Sequence, residues 1–202
     1  MDLKIIAANT QSVYERNGEQ FDKERCKVLY EKNWLHKLTS LLPKGASILD
    51  VGCGSGEPIA QYFIEKDYRL TGLDYAQSML NMAKKRYPET TWILQDMRQL
   101  ELSNTFDGII SWHSFFHLKQ DEQRSVLPLF ARHLNSRGGL LLTVGPNAGE
   151  VVGHVCGEKV YHSSLDPAVY EKILADHGIE IIEFAIEDPG CDYATIILAQ
   201  KK

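Results

Sequence analysis

The chain has 202 residues, of which 44% are hydrophobic, so it can bury one sizeable core. Its formal net charge is −5 and its longest basic cluster spans only residues 84–86, which excludes nucleic acid as a partner because phosphates would find no basic surface. No apolar run approaches the ~20 residues of a membrane span, and the N-terminus has no basic-then-apolar signal segment. We therefore expect a single domain over residues 1–202, with no membrane partner, built from an N-terminal helical cap (1–45) and a core (46–202).

The four cysteines stand at positions 26, 53, 156 and 191, without C-x-x-C spacing or paired histidines. This spacing argues against a zinc site, and we expect no metal. Cysteines without a pairing pattern suggest a reducing compartment, so we expect a cytoplasmic protein. The sequence leaves the oligomeric state open.

The N-terminal cap is expected to contain one long helix. Residues 1–20 are polar, whereas residues 22–42 repeat apolar side chains at helical spacing and end at Pro43. Such a helix can simply cover the edge of a sheet. Alternatively it forms a lid from which Tyr14 or Arg25 reaches the carboxylate of a ligand, or a substrate.

A glycine-rich turn follows the cap. Residues 47–51 are a short apolar run bounded by turn residues, as expected of a buried parallel strand. Gly52, Gly54 and Gly56 let the backbone turn sharply and approach a ligand where a Cβ would collide. Pro58 suits the first position of the next helix, where its missing N–H is not needed.

The acid at the end of this strand decides between two classes of ligand. A dinucleotide fold requires G-x-G-x-x-G, and here the third glycine comes one residue too early. A carboxylate would also repel a pyrophosphate, whereas it suits a cationic ligand. The D-x-G-x-G-x-G string resembles the first motif of the class I S-adenosylmethionine-dependent methyltransferases. This resemblance assigns to the cofactor Asp50, Gly52, Cys53, Gly54 and Gly56.

The second and third predicted strands also end in an acid. Asp74 lies ~20 residues beyond the glycine turn, where a βαβ unit delivers a carboxylate to ribose hydroxyls, and Tyr75 follows it. Asp74 could instead cap the next helix, residues 76–86. The methyltransferase pattern implies that Asp96 accepts a hydrogen bond from the adenine amino group and that the Met97 backbone contacts the ring.

The fourth strand is followed by Trp-His-Ser-Phe-Phe-His-Leu at residues 112–118, which should face the methyl group. The resemblance places the Trp112 backbone near the methionine portion of the cofactor. His113 and His117 lie beyond the same strand, and histidine has a suitable pKa for a general base if the acceptor is a hydroxyl or a ring nitrogen. His117 could instead bond a backbone group.

The last third of the chain holds the remaining candidates. Residues 121–134 predict a helix in which Pro128 causes a kink or a break. Residues 145–165 are too long for an ordinary connection and too mixed for a helix, so we expect a functional or disordered loop. Within it, Tyr161 and His162 are candidate contacts to a substrate.

Two final strands, residues 179–186 and 193–199, are joined by an Asp-Pro-Gly turn and predict an antiparallel hairpin at the sheet edge. The resemblance implies a Rossmann-like α/β fold. Its seven strands, flanked by helices, would run in the order 3-2-1-4-5-7-6 with the last strand antiparallel.

The motifs together predict an enzyme that transfers a methyl group from S-adenosylmethionine to a small-molecule acceptor. The strings Gly-Ser-Gly-Glu-Pro-Ile-Ala and Tyr-His-Ser-Ser-Leu-Asp-Pro are similar to a group of small bacterial methyltransferases whose substrates are generally unassigned, which leaves the acceptor atom open. One alternative is a non-catalytic module that binds S-adenosylmethionine. Another is an NAD-dependent oxidoreductase, which the glycine spacing disfavours. No Asn-Pro-Pro-aromatic string follows the fourth strand, which argues against a nucleic-acid methyltransferase.

Overall fold

The N-terminal cap consists of two helices in the computed structural model, which describes residues 2–202. Helix α1 is Leu3–Glu24 and helix α2 is Lys32–Ser40. The expectation of a polar stretch followed by one helix is therefore wrong. The side chain of Asp2 caps α1 by accepting from the backbone N–H of Lys4, and Val13 is buried on the inner face. After an apolar first part, residues 3–8, this helix is mostly polar, which hid its length in the sequence.

Seven strands form one sheet in the spatial order β3-β2-β1-β4-β5-β9-β8. Strands β1 to β5 pair in parallel, whereas β9 is antiparallel to both β5 and β8. Because β8 and β9 are the sixth and seventh strands of this sheet, the predicted order and the antiparallel last strand are confirmed. The strands are β1 Ser47–Val51, β2 Arg69–Asp74, β3 Thr91–Leu94, β4 Phe106–Ser111, β5 Leu134–Val144, β8 Ile179–Asp188 and β9 Ala194–Lys201.

Helices connect β1 to β2, β2 to β3 and β4 to β5, and a segment with one 3₁₀ turn, Met97–Gln99, connects β3 to β4. The carboxyl ends of these parallel strands therefore meet at one edge of the sheet. Helix α3 begins at Ile59, one residue later than expected, after a cis Glu57–Pro58 bond. Helix α5 runs unbroken through Pro128, so the expected break is absent; buried neighbours such as Phe130 hold it against the sheet. The connecting helices are α3 Ile59–Glu65, α4 Gln77–Arg86, α5 Gln120–His133 and α6 Pro167–Asp176.

The stretch expected as a long loop is a β-hairpin outside the main sheet. Strands β6 (Gly149–Val155) and β7 (Glu158–Ser164) pair antiparallel, and Val155 lies opposite Glu158. Cys156 and Gly157 form the two-residue connection, both with positive φ, as a tight hairpin turn requires. The Cys-Gly pair is a weaker turn signal than Asn-Gly, which explains the wrong expectation.

Apolar side chains cover both faces of the sheet. One cluster packs α5 and α6 on the sheet and includes Phe115, Phe130 and Tyr170. The other packs α2, α3 and α4 on the opposite face and includes Trp34 and Phe63. Helix α1 covers the carboxyl edge of the strands.

Helix α1 is attached to the core through a buried acid. The Asp22 carboxylate accepts hydrogen bonds from Arg86 of α4 and from the Ser55 hydroxyl in the glycine turn. The hydrogen bonds from Arg86 hold the pKa of Asp22 well below its usual range, although burial acts in the opposite direction. Nearer the start of α1, the Thr10 hydroxyl accepts from the Tyr161 backbone N–H at 3.1 Å. The helix is thereby fixed to both the glycine turn and the hairpin.

Replacing Asp22 with Asn should lower the free energy of unfolding at pH 7 by about 1–3 kcal/mol, because charge-assisted hydrogen bonds to Arg86 and Ser55 weaken. A carboxyl whose folded pKa is depressed stabilises above its unfolded pKa, so the difference should shrink as the pH falls below about 4. Urea denaturation at several pH values measures it. Glu19→Gln, on the exposed face of α1, is the matched control. Equal stability of both variants at pH 7 would contradict the assignment.

Candidate functional site

A cavity of about 410 Å³ lies at the carboxyl edge of the sheet, under α1. This volume is within the range of sites that hold small molecules and cofactors. Most of the predicted site residues line it, namely Tyr14, Arg25, Gly52, Gly54, Asp74, Tyr75, Asp96, Met97, Trp112, His113 and His117. The predicted residues outside its lining are Asp50, Cys53, Gly56, Tyr161 and His162.

The glycine turn forms the floor of this cavity. Gly52 donates its N–H to the Leu73 carbonyl at 2.7 Å, with a φ of 77°, and Gly54 has a φ of 55°. A Cβ built on Gly54 would meet only the Arg25 Nη1 atom, at 3.8 Å, so the missing side chain leaves open space in the cavity. At Gly56 a Cβ would lie 3.1 Å from the Trp92 ring. The third glycine therefore serves packing, and the second gives access to a ligand.

The buried carboxylate of Asp74 faces the cavity at the end of β2. Its two oxygens accept the backbone N–H groups of Gly54 at 2.9 Å and Ala76 at 2.8 Å. Burial raises the pKa of Asp74, and these backbone hydrogen bonds oppose the rise. Each carboxylate oxygen keeps a free lone pair, so Asp74 can accept two further hydrogen bonds from vicinal hydroxyls.

Two side chains that can accept hydrogen bonds, Gln95 and Asp96, follow β3. The Gln95 Oε1 atom is buried, lines the cavity and has no hydrogen-bond partner among residues 2–202. Sequence reasoning missed this residue, although it stands directly before a predicted site acid. Asp96 also lines the cavity, but Arg98 holds its carboxylate through Nε at 2.8 and 3.0 Å. An orphaned acceptor is costly when buried, and because this one lines the cavity it is a candidate contact for a ligand.

Asp50 lies beneath the glycine turn rather than in the cavity wall. Its side chain is 2% exposed. Burial raises the pKa of Asp50 to about 7, and the charge of Asp74 adds to the rise while Arg25 opposes it. A cation in the cavity would favour the charged form of this carboxyl.

Both ring nitrogens of His117 have hydrogen-bond partners. Its Nδ1 lies 2.8 Å from the Tyr161 carbonyl, which can only accept, so Nδ1 carries the proton. Its Nε2 therefore accepts from the Tyr14 hydroxyl at 2.9 Å. Burial lowers the pKa of His117 to about 3 and raises that of Tyr14, so both groups are neutral. The expected role of His117 as a base does not fit; the alternative, a bond to a backbone group, does.

Among the candidate imidazoles, His113 and His162 form no ring hydrogen bond to residues 2–202, and of these two only His113 lines the cavity. It follows β4 with a φ of 50°, an unusual conformation for a non-glycine residue, and its backbone N–H donates to Thr143 Oγ1 at 2.7 Å. Burial, with a smaller contribution from Arg25, lowers the pKa of His113 to about 4. Backbone strain at a cavity wall suggests a functional side chain, and this one is a neutral acceptor at pH 7.

The hairpin residues lie behind this wall. The Tyr161 hydroxyl bonds Glu150 and lines a neighbouring cavity of about 490 Å³. The His162 ring packs 4.7 Å from Phe116 and 4.9 Å from His117, measured between centroids, and covers Gly153. The expected direct contacts of Tyr161 and His162 with a substrate are not supported. They brace the residues that line the main cavity.

The start of α2 supplies a further acid that sequence reasoning missed. Glu31 is 6% exposed and lines the cavity together with Cys191 from the turn between β8 and β9. Because the sequence predicted one continuous helix through this region, nothing marked Glu31 as a residue at a helix start. Among residues 2–202 no cluster of His, Cys, Asp or Glu could hold a metal ion, and no helix is long and apolar enough to cross a membrane.

Comparison with known proteins identifies the core of the chain. Residues 48–138 match the family model of a methyltransferase domain. The chain is 34% identical over 101 residues to dTDP-3-amino-3,4,6-trideoxy-alpha-D-glucopyranose N,N-dimethyltransferase of Streptomyces venezuelae. The aligned residues cover 49% of this chain and 42% of that protein. The chain is also 32% identical over 126 residues to malonyl-[acyl-carrier protein] O-methyltransferase of Bacillus cytotoxicus, and this alignment covers 57% of the chain and 42% of the relative. The chain thus spans less than half the length of these relatives.

Solved structures share the whole fold. The S-adenosylmethionine-bound amino pentose methyltransferase CalS10 of Micromonospora echinaspora superposes with a TM-score of 0.72, at 17% identity over 93% of this chain and 96% of that one. The 1,6-didemethyltoxoflavin N1-methyltransferase of Burkholderia thailandensis gives a TM-score of 0.73 at 16% identity. The superposition covers 100% of this chain and 91% of that one. These likenesses establish the Rossmann-like architecture.

The buried imidazoles should make the protein less stable in mild acid. His117 is neutral in the folded state, so the unfolded chain binds more protons once the pH falls below ~6.5, and stability should drop down to a pH of about 3. In His117→Gln this group no longer titrates, so the free energy of unfolding should fall less steeply between pH 7 and pH 4. Urea denaturation across that range measures the slopes. Equal slopes for the variant and the wild type would refute the neutral assignment.

Proposed function

We propose that the chain, whose residues 48–138 match a methyltransferase domain, transfers the methyl group of S-adenosylmethionine to a small-molecule acceptor. One observation carries the proposal: a single cavity joins nucleoside-type acceptors at Asp74 and Gln95 to a neutral imidazole at His113. Asp74 suits a ribose and Gln95 suits an adenine. His113 follows β4, which is two strands away from β2 in the sheet. The bound cofactor supplies an electrophilic methyl group on a sulfonium.

The residues present fit the nucleoside of this cofactor. Gln95 Oε1 lacks a donor, which the adenine amino group would provide. Asp74 has lone pairs for two ribose hydroxyls, and Gly54 leaves room for the ligand beside the turn. Asp96 would contribute less than the sequence motif implies, because Arg98 already holds its carboxylate.

The acceptor half of the cavity would act mainly by positioning. A base with a pKa of about 4 provides little driving force for removing a proton from a hydroxyl. His113 can instead accept a hydrogen bond from the acceptor's O–H or N–H, which turns a lone pair toward the methyl group. Tyr14 and Trp112 close the cavity around this point and limit water.

The relatives act on acceptors of more than one kind. The Streptomyces venezuelae relative is named as an N,N-dimethyltransferase of a dTDP-linked amino sugar, which supports a small acceptor, and the Bacillus cytotoxicus relative as an O-methyltransferase of malonyl-[acyl-carrier protein]. We propose a small molecule with an N–H or O–H group for this chain as well. We also propose the cytoplasm as its compartment, on the evidence of cysteines without a pairing pattern.

Replacing Asp74 with Ala should weaken the binding of S-adenosylhomocysteine roughly tenfold to a hundredfold, because two hydrogen bonds to a charged acceptor are lost. Isothermal titration calorimetry measures the dissociation constant. Asp176→Ala, at the exposed end of α6, is the control and should bind as the wild type does. An unchanged dissociation constant in Asp74→Ala would remove this residue from the site, and a wild type that binds NAD instead would replace the proposed function.

Replacing His113 with Asn should reduce turnover about tenfold to a hundredfold while leaving the S-adenosylhomocysteine affinity close to that of the wild type. Formation of S-adenosylhomocysteine with a panel of amino sugars and phenols measures turnover. Because the imidazole is already neutral, the wild-type rate should show no acid limb near pH 6.5 from this residue. A collapse of cofactor affinity in His113→Asn would assign the residue a structural role instead.

A further inference from the structure

We infer that the neighbouring cavity of about 490 Å³ binds a phosphate group through the side chains of Lys4, Lys119 and Arg124. This cavity adjoins the main one but contains none of the nucleoside-type acceptors, so the inference goes beyond the proposed function. Its volume exceeds what a single inorganic ion needs and suits a phosphate carried by a small molecule.

Three cations from two helices line this cavity. Lys4 lies in the first turn of α1, Lys119 directly precedes α5, and Arg124 lies in the second turn of α5. None of the three forms an ion pair within residues 2–202. Like charges gathered around one cavity repel each other, so an anion bound between them would be stabilised.

The N-termini of two helices meet at the same cavity. Helix α1 begins at Leu3 and helix α5 at Gln120, and both residues line the cavity. The first backbone N–H groups of a helix have no acceptors within the helix, and the helix dipole places partial positive charge there. The two helices have 22 and 14 residues, and both dipoles therefore add to the field of the three side chains.

Two acids also line the cavity, and the cations outnumber them. The Glu150 carboxylate accepts a hydrogen bond from the hydroxyl of the buried Tyr161. Asp121 lies in the first turn of α5. An excess of positive charge is unusual in a chain whose formal net charge is −5. No basic run in the sequence predicts it, because the three cations come from helices that are far apart in the chain.

The number of cations favours a phosphate over a carboxylate. A phosphate monoester carries about −1.5 to −2 charges at pH 7 and has three acceptor oxygens, so each of the three cations can donate to an oxygen. A carboxylate has one charge and two oxygens, which would leave part of the cluster uncompensated. Arginine also offers a fork of two donors that matches two phosphate oxygens.

The phosphate can belong to the methyl acceptor or to a separate small molecule. Ala7 and Lys119 line both cavities, so a molecule held by its phosphate in the neighbouring cavity borders on the main one. This adjacency favours the acceptor as the source, and that part of the inference rests on the proposed function. Glucosamine 6-phosphate and glucosamine differ only in the phosphate, so a comparison of these two probes isolates its contribution.

The test titrates pyrophosphate into the wild type and into Lys4→Gln/Arg124→Gln by calorimetry. The double variant should bind pyrophosphate at least about tenfold more weakly, because two charge-assisted hydrogen bonds are lost. Lys23→Gln/Arg132→Gln is the matched control and should bind as the wild type does. It removes one exposed cation from each of the same helices, and neither residue lines the cavity. An S-adenosylhomocysteine affinity within about twofold of the wild type shows that each variant is folded.

Formation of S-adenosylhomocysteine with the two sugars identifies the source of the phosphate. If the acceptor carries it, kcat/KM should be at least about tenfold higher for glucosamine 6-phosphate than for glucosamine, and Lys4→Gln/Arg124→Gln should lose this difference. In the absence of such a preference the acceptor is dropped as the source, and the pyrophosphate titration alone decides the inference.

Equal pyrophosphate affinities of the wild type and Lys4→Gln/Arg124→Gln would overturn the inference, and so would a wild type that does not bind millimolar pyrophosphate. A loss of pyrophosphate binding in the control as large as in the double variant would also overturn it, because net charge alone would then explain the effect. A wild type that binds pyrophosphate but not S-adenosylhomocysteine would keep the phosphate site and refute the proposed function.

Discussion

Carboxylates buried without cationic partners at the carboxyl edge of the parallel sheet are the constraint on which the structure depends. Asp50 and Asp74 are held there by the ends of β1 and β2, and burial raises the pKa of both. Such groups lower the stability of the folded chain, because the unfolded chain would solvate them. Apolar clusters on both faces of the sheet and the attachment of α1 through Asp22 offset that cost.

The parts of the site that follow from local sequence could be predicted. A strand that ends in an acid and continues into alternating glycines fixes its backbone within a few residues, so Gly52 and Gly54 could be predicted to line a cavity. Asp74, at the end of the next strand, could be predicted in the same way. The parallel order of the strands then brings Asp96 and Trp112 to the same edge. No knowledge of distant contacts is needed for these positions. The order of the strands, in contrast, was expected from the resemblance to the methyltransferases and not from local sequence.

The parts that depend on long-range contacts could not. The sequence suggested His117 as a possible base, but its two nitrogens are taken by Tyr14 and by the Tyr161 carbonyl, from segments 103 and 44 residues away in sequence. One local contact was missed as well: Arg98, two residues beyond Asp96, occupies the Asp96 carboxylate, which the motif does not show. Residue type and spacing identify which side chains can do chemistry; their partners decide which of them are free to do it.

The two ends of the cavity are therefore encoded differently. The nucleoside end is built from strand ends and a glycine turn, whose backbone hydrogen bonds fix Asp74 whatever the acceptor is. The proposed acceptor end is centred on His113, which directly follows Trp112 beyond β4 and whose strained backbone is held by Thr143. This segment lies outside the paired strands, so its side chains can vary without disturbing the sheet. Specificity in such a fold resides in the connecting segments, where sequence carries little local signature.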